Sequence, residues 1–352
     1  MRWRVSKIAR METVIFRSRL GAWLAALAVL VVAGIAAAEV KPDWTREFPK
    51  ADFSKRSIDL GEIFSGGPPR DGIPAIDKPE FATVAEAEKM GLADREAVIA
   101  VAIGGDVRAY PLRILMWHEI VNDTVGGVPV AVTFCPLCNS AVVFDRRVAG
   151  RTLDFGTTGR LRNSDLVMYD RQTESWWQQF LGEAIVGTLT GKRLKMLAVR
   201  VESFARFKAR KATGKKVLVP GDPGRRPYGR NPYTAYDSRS QPYPFFRGSL
   251  PKGISPLERV VVVGKRAWAF SLVKAKRRIE AGDLVITWES GQASALDTPV
   301  IARGKDVGNV VVQRRSGQGL VDAVHDVSFA FAFHAFHPTG TIHTLKSAGA
   351  AK

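Results

Sequence analysis

Both cysteines of the 352-residue chain fall in one short stretch, "VTFCPLCNS" (Val132 to Ser140), two residues apart around a proline. Four chemistries use such a pair. A Cys-x-x-Cys redox centre needs the start of a helix, whose dipole lowers the pKa of the leading thiol. Here the flanking residues read as strands and no βαβ pattern surrounds them, which counts against a thioredoxin-like centre. A disulfide staple closing so small a loop would constrain the unfolded chain by only about 2 kcal/mol. A metal site suits the turn better, because Pro136 fixes φ and both sulfurs aim at one point. Two sulfurs need further ligands, and His118 in "MWHEIVND" and His337 in "FHP" are the candidates. The set His118, Cys135, Cys138 and His337 would hold copper or zinc. The fourth chemistry makes Cys135 a nucleophile with His118 or His337 as its base, the imidazole oriented by an aspartate such as Asp123, Asp170 or Asp237.

A second concentration of polar and aromatic residues lies in "TTGRLRNSDLVMYDRQTESWW". Gly156 and Gly159 permit close backbone approach, Arg160, Asn163 and Ser164 offer donors to an oxygen-rich ligand, and Trp176 and Trp177 offer flat faces. The bland alternative is a polar turn beside tryptophans that belong to the core. Thirty residues from Val219 to Gly248 lack periodicity yet cluster Tyr228, Tyr233 and Asp237 with other aromatics. A structureless loop of that length is uncommon unless functional or disordered, and its aromatic content argues against plain disorder. Arg160, Asn163, Asp170, Tyr228, Tyr233 and Asp237 are therefore the candidate lining of a ligand cleft.

The elements that must position these groups are mostly strands. "VIAVAIGGDVRAYPL" reads as a hairpin, and "RILMWHEIVNDTVGG" as a short helix or irregular piece. Next come the strand-like runs "VPVAVTF", "SAVVFDRRV", "RTLDFGTTG" and "DLVMYD", then two more within "EAIVGTLTGKRLKMLAVRVESF". "FARFKARKATG" reads as a helix. "RVVVVGKRAWAFSL", "LVITWES", "TPVIARG" and "NVVVQRR" read as strands, and "DVSFAFAFHAFHPTGTIH" as a strand or a helix ended by Pro338. The expectation is a mostly β fold, an antiparallel sandwich or barrel with a few short helices, with α+β as the alternative. Residues 39–345 form one large domain and 346–352 a disordered tail.

Six basic residues and one acid precede an uncharged run from Leu20 to Ala38 that ends in three alanines. That is the pattern of an export signal over residues 1–38; an uncleaved anchor is the alternative. Either reading puts the body in the periplasm or another extracytoplasmic space. Removing residues 1–38 lowers the net charge from +18 to +13. A surface so basic favours polyanions. For an exported chain these are cell-envelope polymers or a membrane surface, and nucleic acid is not expected. Three functions follow: a copper or zinc protein, a periplasmic enzyme using Cys135 on an envelope substrate, and a basic module that binds envelope polyanions.

The stretches "WHEIVNDTVGGVPVAVTFCPLCNSAVVFDR", "LDFGTTGRLRNSDLVMYDRQTESWWQQF", "YGRNPYTAYD" and "FHP" resemble the exported bacterial and archaeal family known as domain of unknown function 3179. The resemblance runs from about Pro79 to the tail and implies no reaction. It does imply that threonine replaces Cys138 in some relatives while Cys135-Pro136 is kept, and that alanine often replaces His334. On that basis Cys135, His118 and His337 carry the shared function, with Cys138 as a helper.

Overall fold

A computed structural model describes residues 41–317 and 319–349. The leader expected over residues 1–38 lies outside the described residues. Among those described, no helix is long and apolar enough to cross a membrane.

The fold is mostly β, as expected, with its strands divided among five sheets of four or five strands and one two-stranded ribbon, in a propeller-like arrangement. One order of elements occurs twice. In the first half, Ala97–Ile103 and Asp106–Pro111 form a hairpin around Gly104-Gly105, both at positive φ, where glycine carries no steric penalty. The chain continues into the helix Leu112–His118 and the strands Ile120–Val125, Val128–Cys135 and Ser140–Asp145. After an insertion it returns as the strand Arg200–Ser203, the helix Phe204–Ala209 and the strand Lys216–Val219. The two returning strands flank the first hairpin, one antiparallel and one parallel. In the second half, Arg259–Val263 and Arg266–Ala269 form the hairpin, Phe270–Lys276 the helix, and Arg278–Ala281, Leu284–Glu289 and Asn309–Ser316 the next sheet. Asp326–Phe329, the helix Ala330–Phe336 and Thr341–His343 then return to flank that hairpin, again antiparallel on one side and parallel on the other.

The repeat extends to single dihedral angles. The helices Leu112–His118 and Phe270–Lys276 both end on a non-glycine residue forced to positive φ, Glu119 at φ 57°, ψ −32° and Arg277 at φ 62°, ψ −35°. Each carbonyl then accepts from the backbone N–H of a residue in the sheet behind, Phe134 at 2.8 Å and Trp288 at 3.0 Å. The halves also interlock. Phe329 of the second donates its N–H to the Cys138 carbonyl at 2.8 Å, and Ser203 of the first donates its N–H to Asn309 Oδ1 at 2.7 Å.

The insertion in the first half carries the remaining sheet, built on the hairpin Phe155–Arg162 and Asp165–Asp170. Several expectations are refined. "IVNDTV" is a strand, not an irregular piece. The run "TPVIARG" is not a strand but contains the 3-10 turn Ile301–Arg303. The aromatic tail is a strand and then a helix, which stops one residue short of His337-Pro338. A short helix, Leu345–Gly349, occupies part of the expected tail.

Candidate functional site

The cysteines sit at the end of the hairpin Val128–Cys135 and Ser140–Asp145, where Asn139 at φ 49° closes the Pro136–Asn139 turn. Both are free thiols and almost fully buried, Cys135 at 1% exposure and Cys138 at 0%. Three groups hold the turn. Tyr236 donates its hydroxyl to the Leu137 carbonyl at 3.0 Å. Asp326 accepts from Ser140 Oγ at 3.1 Å and from the Ala141 N–H at 3.2 Å. The third is the Phe329 N–H on Cys138.

The tip of the inserted hairpin covers the sulfurs. Asn163 and Ser164 both lie at positive φ, the signature of a two-residue turn whose twist matches its strands. Their carbonyls receive the thiols, Cys135 Sγ on Ser164 O at 3.7 Å and Cys138 Sγ on Asn163 O at 4.0 Å. The next residue, Asp165, points its carboxylate at the pair. Its oxygen and both sulfurs all lie within 4.8 Å of one another. Oδ2 accepts from Gln178 Nε2 at 2.6 Å and from the Phe180 N–H at 2.9 Å, whereas Oδ1 is buried without a hydrogen-bond partner.

Glu119 faces the same group. Its backbone carbonyl accepts from the Phe134 N–H, one residue before Cys135, and its charge acts on Cys135 as that of Asp165 acts on it. Burial, with the nearby Asp165 charge, pushes Glu119 up to about 8. Burial pushes Asp165 up to about 7 even though Gln178, Phe180 and the adjacent thiols oppose it. Burial also raises both thiols, Cys138 well above the ordinary range. No cation is among the causes acting on these four groups. Burial thus favours the neutral form of all four groups. This is the reverse of a poised nucleophile, which needs an electropositive neighbour.

The histidines expected as partners are not in this group. His118 Nδ1 bonds the Pro74 carbonyl at 2.8 Å and Nε2 bonds the Tyr228 hydroxyl at 2.7 Å, so both ring nitrogens are engaged elsewhere. His337 packs against Phe180 and Phe333. Burial and the charges of Lys265 and Arg193 hold it below the usual histidine range. His334 reaches Ser249.

The expected cleft residues are similarly dispersed. Arg160 pairs with Glu47 and lies over Trp44, Phe48 and Trp176. Asp170 accepts from Thr173 and from Trp177 Nε1, and both tryptophans are core residues. Gly159 makes a close approach, but to the chain's own Pro68 carbonyl, which a Cβ would meet at 2.0 Å. Asp237 anchors the aromatic loop. Burial alone would raise it, but Arg259, Lys305 and Ser294 together hold it below the carboxylate range. Tyr228 is the hydroxyl partner of His118. Tyr233 does border the cysteine group: burial and the charges of Glu119 and Cys135 raise its hydroxyl. Asn163 contributes through its carbonyl.

Asp165 and Glu119 are the residues that the sequence pattern did not single out as ligands. "RNSD" between two strand runs is a hairpin-tip signal, and it would have placed Asp165 just past the turn. Nothing in the sequence announces the positive φ at Glu119.

The chain belongs to the family described as protein of unknown function DUF3179. The match covers residues 70–340, which include the whole cysteine group and both halves of the repeat except the last strand, Thr341–His343. No curated protein and no solved structure matches the chain.

Proposed function

We propose that this chain is an exported metalloprotein that holds one zinc ion between Cys135, Cys138 and Asp165, with Glu119 closing the coordination. The observation that carries the reading is the buried, unpartnered Oδ1 of Asp165 beside two free thiols inside 4.8 Å. A buried acceptor with no donor costs about 1–3 kcal/mol, and a cation removes that cost. Zinc bonded at about 2.3 Å to sulfur and 2.0 Å to oxygen keeps its ligand atoms about 3.5 Å apart, so a small contraction of the group suffices. Two thiolates already balance the charge of a borderline divalent ion, and the carboxyls complete its desolvation. Copper is the lesser fit, because its sites draw on imidazole and thioether, and no imidazole is in this group. The Cys/His set expected from spacing thereby becomes a Cys/carboxylate set.

Export rests on the basic, apolar and small-residue order of residues 1–38. The test is metal analysis of the full chain purified reduced from the cell envelope, with Cys135→Ser and Asp165→Asn alongside. One zinc per chain, lost in both variants, is expected. A wild type that carries no metal and takes up neither zinc nor copper in titration overturns the reading. The size of the mature chain, by mass spectrometry, tests cleavage after Ala38.

A further inference from the structure

The second half of the repeat presents a surface that the zinc reading does not use. In the first half, Met116, His118 and Glu119 at the end of the repeated helix are buried. At the same places the second half has Lys274, Lys276 and Arg277, all exposed, with Arg278 following. Lys274 and Arg277 lie over Trp288, and Arg266 lies over Trp268; none of these three, nor Lys276, forms a carboxylate ion pair among the described residues. The basic surface continues across the adjoining sheet. Arg278 and Arg315 share Glu280, and Arg314 pairs with Asp283.

Apolar groups are interleaved with this charge. Leu320 is in register with Arg315 and Val321 with Arg314, and both are exposed, at 41% and 42%. Beside the helix lies a shallow trough floored by Trp268, Leu272 and Ile279 and rimmed by Lys276 and Arg278. Unpaired cations on the helix, together with exposed aliphatic side chains standing beside ion-paired arginines on the sheet edge, match the interface of an anionic bilayer, where phosphates meet the first methylenes. A soluble polyanion would use the cations and leave Leu320 and Val321 unexplained.

We propose that this face, formed by the helix Phe270–Lys276 and the edge carrying Leu320 and Val321, docks the protein on an anionic lipid surface. Docking is independent of the metal centre. The test is partitioning of the full chain onto vesicles of phosphatidylglycerol mixed with phosphatidylcholine, against phosphatidylcholine alone. The N-terminal segment is common to every variant, so the comparison between variants carries the result. Neutralising K274Q/K276Q/R277Q removes three exposed charges and should lower partitioning onto the anionic vesicles about a hundredfold. L320S/V321S should lower it by a smaller factor at unchanged charge. A control with equal charge loss elsewhere, K89Q/K192Q/K252Q, should retain binding. The proposal is overturned if the K274Q triple variant binds like wild type or the control loses as much. It is also overturned if wild type binds soluble polyphosphate but no vesicle.

Discussion

The two halves of this molecule bend a helix into a sheet in the same way and then use the bend for opposite purposes. In the first half the positive-φ residue is Glu119, buried and coupled electrostatically to Cys135 and Asp165. In the second it is Arg277, turned outward over Trp288. Backbone geometry there is a property of the repeat; chemistry is a property of what covers it. The inserted hairpin and the aromatic loop cover the first helix end, shutting out water and raising every acid beneath. The second helix end lacks such a cover, and its charges stay solvated.

Exchanging the two residues tests that contrast most severely. Glu119→Arg places an uncompensated cation in the covered half and should cost about 3–5 kcal/mol in urea unfolding of the metal-free chain. A cost below about 1 kcal/mol would mean that the covered half tolerates charge, and the burial argument would fail.

The protonated cluster gives the next largest effect. Glu119 near 8 and Asp165 near 7 are both raised, so each binds its proton more tightly folded than unfolded. Their contribution to the metal-free protein is complete below the ordinary carboxylate range and is lost as pH rises through about 7 to 8. Zinc displaces these protons together with those of Cys135 and Cys138, so its affinity should climb about a hundredfold per pH unit from the thiols alone and more steeply below about 7 to 8, where the carboxyl protons are released as well. Chelator competition at several pH values measures the slope. A slope that does not change across that window would exclude these carboxyls as ligands.

Smaller effects sharpen the boundary of the site. His118→Gln or Tyr228→Phe breaks the imidazole–hydroxyl contact and should cost about 1 kcal/mol with zinc content unchanged. Loss of zinc in His118→Gln would restore the imidazole as a ligand. The mildest change is Arg277→Glu, which forfeits the contact with Trp288 and should stay within about 1 kcal/mol by thermal melting.

Most of the strands are legible in the sequence. Alternating β-branched runs and glycine turns announce them, because a period of two and positive φ leave marks in local sequence. The repeat leaves little. Arg108-Ala109-Tyr110 answers to Arg266-Ala267-Trp268, but the helix ends hold different residues, Glu119 against Arg277 and His118 against Lys276, and share only backbone shape. The cysteine pair stands out as a place for chemistry, but residue types alone direct the search for its partners to histidines. Imidazoles are the commoner ligands, and a carboxylate in a run such as "NSDLVMYD" reads as an ordinary polar residue. Only the packing of the inserted hairpin on the cysteine turn, a contact between Cys135 and Ser164 across 29 positions, brings Asp165 to the sulfurs.

The clamp that Asp326 places on Ser140 joins residues 186 positions apart. Closing so long a loop is slow and comes after local hairpins have formed. A chain folding from its N-terminus can therefore cover its thiols with the inserted hairpin, only 29 positions away, well before Asp326 has been made to clamp the turn. Sealing the pair and locking it are separate events.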